Sequence, residues 1–340
     1  MEFFEGLYGN VRQKAYFSAL IGERKCSHAY ILEAPAGGGK KTFAVHLAAA
    51  LAWESEKDPA EREKKCKRIL DGTSPDVRML RREDGKKTIG VDAARDFCDS
   101  VYLTPSELDF KMYIFDEADL ITPQAQNALL KIIEEPPAGV YMILLAENSL
   151  SLLSTVRSRT QKISLQVFSE QELAVYARRN LPQSVKDEEK LRFACRMAGG
   201  SIGKLQTLLD AGETDFAAYH TARRILAMQT EYGSKGNSYF DLMNCITGFV
   251  TSREALDALT KYLLSAYADL LRMKHVDTDE LFFFTAEEAE GYTLHLSEHA
   301  ILRSLTAVDG IRADAQYNTS VALSGALLAI NLRNAISGEG

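Results

Sequence analysis

The stretch Tyr30-Ile31-Leu32 followed by Ala34-Pro35-Ala36-Gly37-Gly38-Gly39-Lys40-Lys41-Thr42 narrows the possible folds more than any other part of the chain. An apolar run that gives way to three consecutive glycines and then to a helical pattern from about Lys40 to Trp53 reads as strand, tight loop and helix. Loops of the form GxxxxGK[ST] wrap backbone N–H groups around phosphates at a helix N-terminus. They add a lysine ammonium and use the next hydroxyl to hold Mg²⁺. A glycine-rich turn that merely joins a strand to a helix is the plainer reading of the same residues.

Two positions of that pattern are altered. Ala34 stands where the first glycine belongs and Lys41 where the hydroxyl belongs, while Lys40 keeps the point charge and Gly37 and Gly39 still permit close backbone approach. Lys41 puts a cation where Mg²⁺ would sit, and Thr42 comes one residue late, rotated by about 100° around the helix. Metal ions neutralise charge on the terminal phosphates in the transition state. Gly37, Gly39 and Lys40 are therefore expected to hold nucleotide weakly or not at all, without hydrolysis.

Further apolar runs at Met112 to Phe115 and Val140 to Ala146, with a helical pattern between them at Pro123 to Glu134, predict an α/β region with a mainly parallel sheet covered on both faces. The run Lys111-Met112-Tyr113-Ile114-Phe115 ends in Asp116-Glu117-Ala118-Asp119. Carboxylates at such a strand end can hold Mg²⁺ and polarise an attacking water, or simply form a solvated rim. Eleven of the 16 residues from Trp53 to Arg68 are charged and Pro59 interrupts them, which predicts a solvated excursion. Beyond Ser169 the strand signals fade, and Glu170 to Arg179 and Asp187 to Ala198 read as two short helices. Helical spacing then dominates in Ala255 to Met273, His299 to Val308 and Val321 to Leu332, with a connection at Gly233 to Asn237.

Composition removes several classes. With 47 acidic against 40 basic residues the formal charge is −7, so a broad cationic face for autonomous nucleic-acid binding is not expected, and any DNA contact would be local or shared. The N-terminus has no basic n-region or apolar h-region, and no run reaches the roughly 18 apolar residues of a membrane span, which predicts a cytoplasmic protein with no membrane partner. Cys26, Cys66, Cys98, Cys195 and Cys245 are scattered singly, which predicts reduced, mostly buried thiols. The six histidines show no catalytic spacing, and no polymerase constellation is present.

Several of these residues also carry a resemblance. His28-Ala29-Tyr30, the altered loop, Asp116 to Asp119, Ala125 to Lys131 with Glu134-Glu135-Pro136-Pro137, and Ser158-Arg159 together resemble the bacterial clamp-loader branch of the AAA+ proteins, strongly from about Gly6 to Lys204. Ala146-Glu147-Asn148 with Leu152 to Arg159 is similar to the delta-prime family of DNA polymerase III subunits within that branch, which usually has cysteine where this chain has Thr160. The resemblance implies an AAA+ α/β domain over residues 1–165, a small helical lid over 166–209 and an all-α collar over 210–340 that holds several subunits in a ring.

For function, it implies a stator that does not hydrolyse ATP itself and helps place a sliding clamp on primed DNA. Arg159 would be an arginine finger acting in trans on ATP bound by a neighbouring gamma/tau-like subunit, with a delta-like subunit also in the ring; its plain alternative is a surface ion pair. Asp116 and Glu117 match the metal and water positions of hydrolysing relatives, and Asn148 a sensor position, all as vestiges. Hydrolysing relatives place an arginine where Gly200-Ser201-Ile202-Gly203-Lys204 has Gly203. The family often carries a zinc module before a Pro-Asp-Val turn; here Ser74-Pro75-Asp76-Val77 is kept but the preceding stretch holds only Cys66, so no zinc is expected and Trp53 to Arg68 would be a degraded module packing through Trp53 and Ile69-Leu70, or simply mobile. An ATP-hydrolysing motor subunit of gamma/tau type and an AAA+ scaffold unconnected with replication are the competing readings. Lys41 and Gly203 weigh against the first and Ser158-Arg159 against the second.

Overall fold

Alternation of side chains along three strands decides the layering of the N-terminal half. In β1 (Ala29–Glu33), β3 (Lys111–Phe115) and β4 (Val140–Ala146), Tyr30, Leu32, Met112, Ile114, Ile143 and Leu145 enter one apolar cluster. Their neighbours Ala29, Ile31, Tyr113, Phe115, Met142 and Leu144 enter a second cluster on the opposite face. Strands buried on both faces need helices above and below, and these come from α1 (Val11–Gly22) and α2 (Lys40–Ser55) on one side and α4 (Val91–Ser100) and α5 (Pro123–Glu134) on the other. With β2 (Val77–Leu80) and β5 (Gln161–Ser164) at the edges, the five strands run parallel in the order β2-β3-β4-β1-β5. α3 (Pro59–Leu70) and the single turn α6 (Ser154–Arg157) complete this half.

Aromatic side chains carry much of the packing. Phe17 meets Tyr30 edge to face at 5.1 Å and Phe43 at 5.6 Å, while Phe97 meets Tyr113 at 4.6 Å and Phe115 at 4.9 Å. Each fully buried ring stabilises the fold by about 1.5–3 kcal/mol through burial alone.

The structure, a computed structural model, describes residues 4, 6–82, 85–185, 187–231, 239–276, 281–315 and 319–337. The connection expected at Gly233 to Asn237 lies outside them. The chain divides into two compact units, 1–168 with Ser201–Gly203, and 169–200 with 204–340.

The second unit contains α7 (Glu170–Asn180), α8 (Glu188–Met197), most of α9 (Ile202–Ala211), α10 (Glu213–Thr230), α11 (Tyr239–Phe249), α12 (Arg253–His275), α13 (Ala286–His295), α14 (Glu298–Asp314) and α15 (Val321–Ser337). Phe193 of α8 lies 5.3 Å from Phe216, 5.1 Å from Tyr219 and 5.9 Å from Tyr262, and Arg196 pairs with Glu288 at 3.6 Å, so the 169–200 helices share one core with the helices that follow. In the aromatic run Leu281 to Phe284, Phe283 and Phe284 are core residues whose N–H groups donate to buried Asp269 at 2.6 and 3.2 Å, while Phe282 is exposed.

The charged stretch from Trp53 to Arg68 also differs from a solvated excursion. Pro59 opens α3 rather than breaking it, since the first helical position needs no N–H and Asp58 caps the helix by accepting from Ala60 N. α3 folds back along α2. Ile69 is buried, the Cys66 thiol donates to Ala49 O at 3.3 Å and the Arg62 guanidinium stacks 5.0 Å from the Trp53 ring, with Leu70 left exposed.

Candidate functional site

At the carboxyl end of β1 the chain makes the loop foreseen in the sequence. Gly37 and Gly39 take left-handed backbone angles, φ 70° and 79°, where a Cβ is strained, and Gly38 N–H donates to Pro35 O at 2.9 Å. Gly39 is the N-cap of α2 and supplies no side-chain cap, so the first N–H groups of that helix face the loop's cavity with their partial positive charge. The Lys40 ammonium is turned back on the loop and donates to Ala34 O at 2.6 Å and Pro35 O at 3.0 Å.

This cavity, about 680 Å³, is lined by Ala36 to Thr42, Asp116, Glu117, Asp119, Leu120, Leu145, Glu147 and Gly203. Gly37, Gly39, Lys40, Asp116 and Glu117 are thus brought together as expected, and Thr42 lines the same space as Lys41. Its lining holds four acidic residues and two lysines, with the Lys40 ammonium turned back on the loop. Glu117 sits at φ 54° with its carboxylate 3.4 Å from Arg82, and Asp116 accepts from the Glu117 N–H at 3.1 Å.

Gly203 enters this space as backbone. Its N–H donates to Gly37 O at 3.2 Å, and a Cβ there would lie 3.1 Å from Gly37 O and 3.3 Å from Gly37 Cα. The position where the resemblance puts an arginine is occupied by a close approach of two chain segments.

Asn148 is not among the lining residues. Its side chain accepts from Leu150 N at 2.9 Å and caps the short turn at Ser149–Ser151, while its own N–H donates to Asp119 at 3.0 Å. Asp119 is the residue whose importance the sequence pattern does not disclose: it also accepts from Glu147 N at 2.7 Å and Ser151 Oγ at 3.0 Å, tying the end of β3 to the loop after β4. Glu33, at the end of β1, holds the same loop by accepting from Ser149 N at 2.6 Å and pairing with Lys162 at 2.6 Å. Burial works against the Glu33 carboxylate, but the Lys162 and Ser149 donors outweigh it and keep its pKa below the ordinary carboxylate value.

That loop leads to Arg159. Buried Gln126 on α5 accepts from Leu153 N at 2.7 Å and donates to Ile121 O at 2.9 Å, fixing the start of α6. Thr160, the departure from the family's cysteine, donates its hydroxyl to Val156 O at 2.9 Å and satisfies a carbonyl at the end of that turn. Arg159 itself is exposed. Its Nε pairs with Glu134 at 2.6 Å, and Nη1 donates to Thr155 O at 3.1 Å and Ser158 Oγ at 3.3 Å. The surface ion pair named as the plain alternative is therefore present, and Nη2 makes no hydrogen bond among the described residues. Arg157 is half-buried with its Nε unsatisfied there.

Among the described residues no group of three His, Cys, Asp or Glu side chains is arranged to hold a metal ion, and no helix is long and apolar enough to cross a membrane.

The strand order and the loop after β1 define a parallel α/β fold with a phosphate-loop-like turn. Residues 9–169 match the family described as "DNA polymerase III, delta subunit". DNA polymerase III subunit tau of Bacillus subtilis (strain 168) is 31% identical over 214 residues, 62% of this chain and 36% of that protein. Subunit delta' of Pseudomonas aeruginosa is 35% identical over 149 residues, 43% of this chain and 45% of that one. The chain thus spans less than half the length of these two relatives. Subunit delta' of Bacillus subtilis is 24% identical over 313 residues, 90% of each chain. Over residues 9–169 the chain is thus similar to DNA polymerase III subunits of the tau and delta' kinds.

Proposed function

We propose that this chain is a delta-prime-type stator of a bacterial clamp loader: it does not turn over ATP, and it supplies Arg159 to ATP held by a neighbouring gamma/tau-like subunit. Similarity alone does not choose among subunits, since tau and delta' relatives match at comparable identity. The observation that carries the reading is the make-up of the chain's own cavity. Lys41 replaces the metal-holding hydroxyl in a lining that also holds four acidic residues, so a triphosphate would meet those carboxylates with no side chain at that position to recruit Mg²⁺. Gly203 lying on Gly37 adds that the position where hydrolysing relatives place an arginine has no side chain.

Exposure of Arg159 supports the second half. A guanidinium presented to a neighbour's γ-phosphate stabilises charge on the transferred group, an effect worth about 10³–10⁵ in rate where it has been isolated. Clamp loading on primed DNA, a delta-like partner and the cytoplasm as site of action follow from the same assignment, and neither zinc nor nucleotide is part of it.

Reconstitution with ATPase subunits tests the proposal. Arg159→Ala is expected to leave assembly intact and to lower steady-state ATPase at least tenfold; unchanged ATPase refutes the finger. Isolated chain is expected to show no Mg²⁺-dependent hydrolysis, and turnover abolished by Lys40→Ala would favour the motor reading instead. Failure to co-purify with loader ATPases would leave only a scaffold.

A further inference from the structure

Resting on the reading of Arg159 as a finger, we infer that Glu134 is the positioning residue that aims it. Glu134 is the last residue of α5, where the helix dipole disfavours a carboxylate, and Arg159 is its one partner among the described residues, at 2.6 Å. Nothing local explains an acid at that place except the guanidinium it meets.

The division of labour within the guanidinium makes the case. Arginine offers five N–H donors in a rigid planar fork. The Glu134 carboxylate pairs with the guanidinium by charge, 2.6 Å from Nε, and Thr155 O and Ser158 Oγ accept from Nη1, so one side of the group is held from within the chain. Nη2 is left as the arm for an external anion. Holding one side sets both the direction and the plane of the group. A finger held this way loses little side-chain freedom when phosphate arrives, whereas an unanchored one must be ordered during the reaction.

Glu134 is carried by the same helix whose Gln126 holds Leu153 N. α5 therefore fixes the segment before the finger at one end and the finger's side chain at the other.

The test is steady-state ATPase of the reconstituted complex with Glu134→Ala, Glu134→Gln, Arg159→Ala and the double variant Glu134→Ala/Arg159→Ala. Glu134 is half exposed, so the alanine variant is expected to fold and assemble. Glu134→Ala should lower kcat about two- to tenfold, the range set by the cost of immobilising one long side chain, with KM for ATP little changed. Glu134→Gln, which keeps the size of the side chain but not its charge, should lose nearly as much as the alanine variant, and the double variant should be no slower than Arg159→Ala alone. In the isolated chain, the Arg159 Nε–H proton should exchange faster with solvent in Glu134→Ala than in wild type, a readout that needs no partner. If Arg159→Ala slows the complex while Glu134→Ala leaves kcat unchanged or raises it, the finger stands and the positioning role is overturned. If Arg159→Ala itself has no effect, the finger reading falls and takes this inference with it.

Discussion

Gly203→Ala is the substitution that best separates a braced loop from a merely adjacent one. Gly203 is the second residue of α9, and alanine in a helix is preferred over glycine by at most about 1 kcal/mol. Against that gain, the new Cβ would sit 3.1 Å from Gly37 O and 3.3 Å from Gly37 Cα, backbone atoms that cannot swing aside as a side-chain tip would. Overpacking of this kind costs about 1–3 kcal/mol, and weakening the 3.2 Å bond from Gly203 N to Gly37 O adds to it. The balance favours a loss of roughly 1.5 kcal/mol. Gly22, the last residue of α1, has nothing within 4 Å of the place a Cβ would take, so Gly22→Ala should be neutral or slightly stabilising in the same unit. Trp53 is the sole tryptophan and lies near the end of α2, so its fluorescence during urea unfolding follows this unit selectively. With a slope of about 1–3 kcal/mol/M, Gly203→Ala should lower the midpoint by roughly 0.5–1.5 M. A midpoint that rises alongside Gly22→Ala would show that the loop yields freely and that Gly203 does not brace it.

Two further expectations concern stability and pH. Asp76 is buried and accepts from the N–H groups of Ser106, Glu107 and Leu108 at 2.8, 2.7 and 2.9 Å, so Asp76→Ala should cost about 2–4 kcal/mol in the same tryptophan-detected titration, and an unchanged midpoint would remove it as the anchor of that loop. Burial raises the pKa of all five thiols, Cys195 to about 11, so at neutral pH the thiolate fraction is smaller than for free cysteine. Alkylation of the native chain should therefore be slow near pH 7.5, quicken only as pH climbs past the ordinary thiol value, and come last at Cys195; rapid reaction of Cys195 at neutral pH would contradict this.

Legibility differed sharply from element to element. The helix over Pro123 to Glu134 and the strand over Val140 to Ala146 were readable to the residue because Thr122 caps the one, Pro136 stops continuation beyond it, and an uninterrupted apolar run marks the other. β2 and β5 escaped because edge strands have mixed patterns: Val77–Leu80 is half-buried and Gln161–Ser164 largely exposed. α3 was legible only in part since charge dominates its composition: packing through Trp53 and Ile69 was one reading of the sequence, while the Cys66 and Arg62 contacts do not stand out by period and Leu70 stays exposed. How the helices after Ser169 pack on those beyond residue 209 was hidden for a related reason. Phe193 has the spacing of any helix-face aromatic, and nothing in a sequence says that its partners are Phe216, Tyr219 and Tyr262.

At the candidate site, residue type and spacing alone determined that a loop with Lys40 but without a correctly placed hydroxyl follows a strand, and that carboxylates stand at the end of another. Those are local facts, fixed by covalent order and by the period of strand and helix. Tertiary structure decided what the side chains meet. It turned Asn148 away from the cavity to cap its own loop and put Glu147 and Asp119 on the rim; it made Gly203 a contact with Gly37 and gave Arg159 to Glu134. Each of those pairings joins residues far apart in the chain or selects among rotamers, and both are settled only when the packed sheet and helices bring particular donors within hydrogen-bond reach of particular acceptors.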